Sequence, residues 1–351
     1  MVLLSGCPLC GAHERSLVCR LSAKDFFYGY IYTITHLGPD PPTYYRIWRC
    51  ENCGHWYVNP RLSETDLIAC YPSDRFTHGV GYHPFNTLRA GKTQIPQPRH
   101  SDEAWEKHWR DQVQRIASFN APRKSILDIG CANGAFLRQV HQGWRRVGID
   151  NNRGAIELAQ GLPGRGIEYI CADLTSHNWR KERFGIITIF DTLEHMTDPK
   201  AVVEKVSELL TPGGICWIQT ISCHSPGARY FGKNWGLLTP AVHLHYFDIG
   251  SLSRILKSQD LIVESTAIGS ASVIDALRTD LRYRKRRVFL KLLLHYGYLS
   301  KLLCFILARS GLIDDRPVFL TKLKNINAAE SLRPRLDDRL EIIVRKRKNI
   351  A

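Results

Sequence analysis

Ile126-Leu-Asp-Ile-Gly-Cys-Ala-Asn-Gly134 is the stretch that sets the fold. An apolar run ends at Asp128, a tight turn of small residues follows, and Phe136, Leu137 and Val140 then recur at helical spacing. A strand, a glycine-bearing turn and a helix N-terminus together make a ready site for a polar or anionic ligand. A second apolar run, Val147-Gly-Ile-Asp150, also ends in a carboxylate. An acidic residue about 20 residues past such a turn is placed to hold a ribose hydroxyl pair. The pairing predicts an α/β protein that binds a nucleoside-containing cofactor.

The glycine spacing narrows the cofactor. A dinucleotide fingerprint needs Gly-x-Gly-x-x-Gly, and the matching positions here are Gly130, Ala132 and Ala135. Asp128, Gly130 and Gly134 instead resemble motif I of the class I S-adenosylmethionine-dependent methyltransferases, with Ala132 where Gly is commoner. Further motifs of that family follow in order. Cys171-Ala-Asp173-Leu174 resembles the end of its third strand. Phe184-Gly-Ile-Ile-Thr-Ile-Phe190, followed by Asp191-Thr-Leu-Glu-His195, resembles the fourth. Leu210-Thr-Pro-Gly-Gly214 and Ile215-Cys-Trp-Ile-Gln219 resemble the turn and fifth strand. Gly185 departs from the pattern, since many relatives carry Asp there. The resemblance implies a Rossmann-like seven-stranded sheet. It also implies S-adenosylmethionine held by Asp128, Gly130, Cys131, Ala132, Gly134, Asp150, Asn151, Asp173, Leu174 and Phe190, with Asp150 on the ribose and Asp173 near the adenine amine.

Composition bounds the rest. With 351 residues and a hydrophobic share of 44%, one large or two smaller domains with a proper core are expected. The first residues lack the long apolar core of a secretion signal, and no charge-free apolar run reaches the length of a membrane span. Eleven cysteines without such a signal read as reduced thiols, so a cytoplasmic location is expected.

Four of those cysteines form two knuckles, Cys7-Pro-Leu-Cys10-Gly and Cys50-Glu-Asn-Cys53-Gly. Each Cys-x-x-Cys can turn two thiolates toward one ion, and four thiolates at tetrahedral geometry select zinc. With Cys7, Cys10, Cys50 and Cys53 all committed, no open coordination position remains, and a structural role is expected. A thioredoxin-like redox role is weaker, because neither pair opens a βαβ unit. Between the knuckles, Phe26–Ile34 and Tyr44–Arg49 read as strands. Tyr44 through Pro60 resembles the zinc ribbon fused ahead of certain methyltransferases, deoxysugar C-methyltransferases among them. The expected organisation is a zinc-ribbon domain over 1–75, a Pro- and Gly-rich linker over 76–100, and a methyltransferase domain over 101–351. Ser101-Asp-Glu opens a helix running to about Ser118.

After the fifth strand, Ser225–Asp248 gathers aromatics, glycines and histidines at the carboxyl edge of the sheet, where open α/β sheets bind ligands. Trp235, Pro240 and His243-Leu-His-Tyr-Phe247 resemble a pattern of methyltransferases found with sugar and cell-envelope biosynthesis, and His243 takes the family's histidine position. Asp248 caps a helix, and Leu261–Ile268 reads as the sixth strand. Glu194, His195 and His243 are the catalytic candidates, because imidazole titrates near neutrality and suits removal of a proton from the acceptor. Alternatives stay open: Glu194 as a helix-start cap, His243 as a loop-holding hydrogen-bond partner, or a Glu-His metal site like that of ubiquinone O-methyltransferases. His245 reads mainly as loop structure.

Residues 276–351 carry 19 Lys and Arg against 7 Asp and Glu, a surplus of 12 within the chain's +15. Basic residues flank an apolar helical pattern across 284–309. That suits peripheral contact with an anionic membrane at its inner face, or a helical pair packed on the domain or on a second copy in a homodimer. Leu340–Lys348 reads as the seventh strand, returning antiparallel beside the sixth, so 276–335 becomes a helical insertion. Two function classes follow. The first is methyl transfer to a sugar, nucleotide-sugar or lipid-linked glycan precursor. The second is RNA binding or RNA methylation through the ribbon and basic segment. RNA is the weaker partner, because the basic residues accompany an apolar run rather than an aromatic stacking platform.

Overall fold

The computed structural model describes residues 1–22, 44–69, 101–162, 164, 166–225, 228–229, 232–235, 237–268 and 338–348. The strand reading of 26–34, the 76–100 linker, the 276–335 insertion and the basic apolar stretch 284–309 lie outside the described residues.

The N-terminal part holds three strands, β1 (Arg15–Ser22), β2 (Tyr44–Cys50) and β3 (Trp56–Val58), and a short helix α1 (Glu64–Ala69). The larger part runs α2 (Ser101–Ser118), β4 (Ser125–Ile129), α3 (Ala135–Gln139), β5 (Arg145–Asp150), α4 (Arg153–Gly161), β6 (Ile167–Cys171) and β7 (Phe184–Phe190). It continues with α5 (Pro199–Leu209), β8 (Leu210–Ile221), β9 (His245–Tyr246), α6 (Ile249–Lys257), β10 (Leu261–Ile268) and β11 (Arg339–Lys346).

Seven strands form one sheet in the order β10-β11-β8-β7-β4-β5-β6. β4 is parallel to β5 and β7, while β11 runs antiparallel to both β8 and β10. The last strand therefore lies beside the sixth as expected, and it wedges between the sixth and the fifth. Every residue of β4 is buried, as a strand covered on both faces requires. Ile126 belongs to the apolar cluster that includes Phe136, Leu137 and Ile156, and Leu127 to the separate cluster that includes Val203 and Leu252. The period-two alternation of a strand thus feeds two separate apolar layers.

Local chemistry starts the helices. The Asn152 side chain accepts from Ala155 N–H, and Asp198 accepts from Ala201 N–H with Pro199 next in line. Asp248 and Ser251 form a reciprocal capping box on α6. Such caps contribute about 1 kcal/mol each. Gly185 also has a packing cause: a Cβ there would stand 2.0 Å from the Arg123 carbonyl oxygen, so an aspartate has no room on this backbone.

A second sheet has the order β1-β2-β3-β9. Its fourth strand comes from the segment after β8, with Trp56 opposite Tyr246 and Tyr57 opposite His245. Pairing therefore crosses from residues before the 76–100 stretch to residues well after it.

Candidate active site and metal centre

β4 and β7 are neighbours whose onward connections diverge to opposite sides, so a crevice opens at their carboxyl ends. The turn after β4 fills its rim. Gly130 and Gly134 both adopt φ of 73°, and Ala132 adopts 47°. The left-handed value at Ala132 explains why Gly is the commoner residue in that slot. A Cβ on Gly130 would lie 2.2 Å from Thr192 Oγ1, and one on Gly134 would lie 2.1 Å from Tyr169 Oη. Glycine is thus required by close approach as well as by φ. Asp150 supports the turn: its Oδ2 accepts from Ala132 N–H at 2.9 Å and its Oδ1 from Asn152 N–H at 2.8 Å.

The other expected cofactor residues sort by depth. Asn151 is exposed beside Asp150. Asp128 is buried and accepts from Thr188 Oγ1 at 2.7 Å; burial lifts its carboxyl to about 7, with Asp150 adding to the rise and Thr188 opposing it. The Cys131 side chain is buried beneath the turn, against Gly148. Leu174 is buried too. Ala172 N–H donates to Asp150 O, which brings Asp173 to the same edge. Burial opposes ionisation of Asp173, but hydrogen bonds from Thr175 and Ser176 hold its carboxyl below the usual range. Phe190 is half-buried in an aromatic cluster, stacked on Trp109 with ring centroids 5.9 Å apart.

The turn after β7 lies against the glycine turn, because Thr192 occupies the space Gly130 leaves. It carries the catalytic candidates. Glu194 is buried, and its Oε2 accepts from Thr220 Oγ1 at 2.8 Å. Burial first, then the Asp191 charge, pushes its carboxyl up to about 8; hydrogen bonds and Arg339 act the other way. His195 Nδ1 lies 2.9 Å from the Val242 carbonyl oxygen. A carbonyl can only accept, so Nδ1 carries the proton and the lone pair of the neutral ring is on Nε2. His243 Nδ1 lies 2.8 Å from both Leu237 O and Thr239 Oγ1, which places its proton in the same way. The two imidazoles have centroids 4.8 Å apart. One ligand atom each from Glu194, His195 and His243 falls within 4.8 Å of the others, so the trio could remove a proton or hold a cation.

The two knuckles converge. Cys7 Sγ lies 3.6 Å from Cys53 Sγ, Cys10 Sγ lies 3.5 Å from Cys50 Sγ, and all four sulfurs are within 4.8 Å of one another. Tetrahedral zinc with bonds of about 2.3 Å spaces its sulfurs by about 3.8 Å, so the cluster fits that ion in size and in donor type. Burial raises the Cys10 thiol, but hydrogen bonds involving Ala12, Asn52 and the neighbouring cysteines bring it down to about 7. Cys53 moves the other way, raised by its hydrogen bond with Cys7 and by burial.

Residues 99–266 match the sequence model of a family described as a methyltransferase domain. Over that stretch, just under half of its length, the chain is similar to that family. Related sequences include the ubiquinone biosynthesis O-methyltransferase of Coxiella burnetii, 30% identical over 103 residues that make up 28% of this chain and 44% of that one. The protein of the same description from Pseudomonas fluorescens is 28% identical over 141 residues, 38% of this chain and 58% of that one. The chain thus spans less than two thirds of the length of either relative. Among solved structures, N-methyltransferase NodS from Bradyrhizobium japonicum superposes with a TM-score of 0.40 at 16% identity, covering 70% of this chain and 99% of that one.

Several residues around the crevice escape a reading of the sequence. Asp191, Arg339 and Thr220 set the field around Glu194, and His55 meets His245 from the N-terminal sheet. Only Asp191 carries a local signal, standing three residues before Glu194 in the motif itself.

Proposed function

We propose that the chain is an S-adenosylmethionine-dependent methyltransferase whose acceptor is a sugar, a nucleotide-sugar or a lipid-linked glycan precursor. The observation that carries the reaction is the seating of Thr192 on Gly130, which sets Glu194 and His195 beside the cofactor turn. S-adenosylmethionine, when bound, supplies a methyl group on a sulfonium. Asp150 takes the ribose hydroxyls with the acceptor capacity left after Ala132 and Asn152, since a carboxylate offers about four lone-pair sites. Asp173 stands at the adenine edge. His195 Nε2 accepts the acceptor's proton while Nδ1–H stays on Val242 O. With its carboxyl raised to about 8, Glu194 ionises only toward alkaline pH; once ionised it offsets the imidazolium, and His243 orients the acceptor from the opposite loop.

Residues 1–75 are proposed as a structural zinc unit and 101–351 as the methyltransferase unit. The resemblance of Trp235–Phe247 to methyltransferases of sugar and envelope biosynthesis supports the acceptor class. A second reading has a specific support: the relatives described as ubiquinone biosynthesis O-methyltransferases favour an oxygen acceptor of that biosynthesis, with a divalent cation on Glu194, His195 and His243. The RNA reading draws on a basic segment outside the described residues, and no described feature favours it. Among the described residues no helix is long and apolar enough to cross a membrane.

Calorimetry with S-adenosylhomocysteine tests the cofactor. Incubation with nucleotide-sugars, glycolipid precursors, phenolic lipids and RNA, read by mass spectrometry, tests the acceptor. A methyl gain on RNA with none on any sugar or phenol overturns the acceptor class.

A further inference from the structure

The candidate catalytic turn is held from behind by the cysteine unit. Leu193–His195 is a single 3₁₀ turn, and its residue Glu194 gives its backbone carbonyl to Leu244 N–H at 2.8 Å. Leu244 in turn accepts from Val58 N–H of β3 at 3.0 Å, and β3 begins one residue after His55. His55 belongs to the second knuckle, because its carbonyl accepts from Cys50 N–H at 2.9 Å. Its ring is fully buried and meets that of His245, 190 residues away, with Nε2 3.0 Å from His245 Nδ1. On its far side, His245 Nε2 lies 3.0 Å from the Met196 carbonyl oxygen, one residue beyond the turn.

Proton positions along this line are fixed by elimination. The Met196 carbonyl only accepts, so His245 carries its proton on Nε2. His245 Nδ1 then accepts, and His55 must donate from Nε2. Both rings are buried and neutral, and His55 packs against Phe247 at 5.0 Å between centroids. The bonds thus have one direction, His55 to His245 to Met196 O, which a pair of flexible side chains would not enforce. A second tether runs alongside, from Arg61 Nη1 to the Thr197 carbonyl at 2.6 Å. Both tethers start from the N-terminal part and end within two residues of His195.

We propose that His55 and His245 are positioning residues for methyl transfer: the knuckle that presents His55 fixes, through the His245 ring and the Met196 carbonyl, where Glu194 and His195 stand relative to the methyl group. The inference rests on the methyltransferase reading above. It gives the N-terminal unit a task in the reaction beyond its own stability. A misplacement near 1 Å at a reacting group costs on the order of a hundredfold in rate, so a modest shift of the turn is enough to be read.

The test compares His55→Leu, which removes the donor, with His55→Gln, whose amide nitrogen keeps a donor at the Nε2 position. Zinc content and melting temperature establish that both fold. Hydrogen exchange at the Leu244 amide, which requires no acceptor, is expected to quicken about tenfold or more in His55→Leu and to return toward wild type in His55→Gln. Single-turnover methyl transfer should fall about 10–100-fold in His55→Leu, with S-adenosylhomocysteine affinity unchanged, and recover in His55→Gln. If His55→Leu does not fold, His245→Asn replaces it, since it keeps an acceptor for His55 and gives up Met196 O. Wild-type exchange and wild-type turnover in the Leu variant overturn the proposal, as does equal impairment in the Leu and Gln variants. A wild-type protein that binds no S-adenosylhomocysteine sinks the methyltransferase reading instead, and Leu244 exchange still judges the tether.

Discussion

Arg339 in the last strand forms an ion pair with Asp191, three residues ahead of Glu194. The pair screens Glu194 from a neighbouring negative charge, since Arg339 lowers and Asp191 raises the pH at which Glu194 ionises. Arg339→Met should therefore move Glu194 above its present value of about 8 and shift the alkaline-rising limb of the pH–rate profile to higher pH. A profile that stays in place would remove Arg339 from the electrostatics of the site.

Glu194 also ties stability to pH. Its carboxyl is raised from 4.5 to about 8 in the folded chain. Between those values the folded state holds a proton that the unfolded state has released. The contribution is fully present below 4.5 and is lost as pH rises to about 8. Glu194→Gln should flatten the melting-temperature curve across that window, and calorimetry at stepped pH reads it directly. Equal slopes in the two proteins would contradict burial of the neutral acid.

Asp150→Ala should weaken S-adenosylhomocysteine binding by on the order of 2–4 kcal/mol, because a charge-assisted hydrogen-bond pair to the ribose disappears. Part of the loss reflects release of Ala132 N–H, which Asp150 holds in the unliganded turn. Titration calorimetry provides the comparison, and wild-type affinity would refute the ribose assignment.

Elemental analysis should find about one zinc per chain, lost in Cys50→Ser while cofactor binding persists. Retention of a stoichiometric metal in that variant would break the ligand set of Cys7, Cys10, Cys50 and Cys53.

His195→Ala should slow the chemical step by about 10²–10⁴-fold with little effect on cofactor affinity, the pattern of a lost general base. If turnover is unchanged, the base lies elsewhere, with His243 the next residue to replace.

The parts legible in the sequence are those whose partners lie nearby along the chain. Asp128 to Gly134 declares a strand and a turn through apolar patterning and glycine alone, and Asp150 follows one strand later. The knuckles are legible across 39 intervening residues because thiolate spacing is itself the signal. Gly185 looks like a lapse from the family pattern until Arg123 O is found in the space its Cβ would need. Arg339 is unreadable in advance, because only the wedging of β11 between β8 and β10 brings it to Asp191 across 148 positions. His245 is read as loop for a related reason: two residues make too short a strand to show a period, and its partner β3 is far away in sequence.

The strand that completes the N-terminal sheet is Tyr246 and its neighbour, almost two hundred residues after β3. On the ribosome, β1, β2 and β3 emerge first with one edge uncovered, and they stay so until most of the crevice-forming strands have followed. An uncovered strand edge invites pairing with other chains. Gene fragments ending before residue 245 should accordingly be recovered in inclusion bodies, whatever the state of their cysteines, while fragments reaching past 248 regain the missing edge.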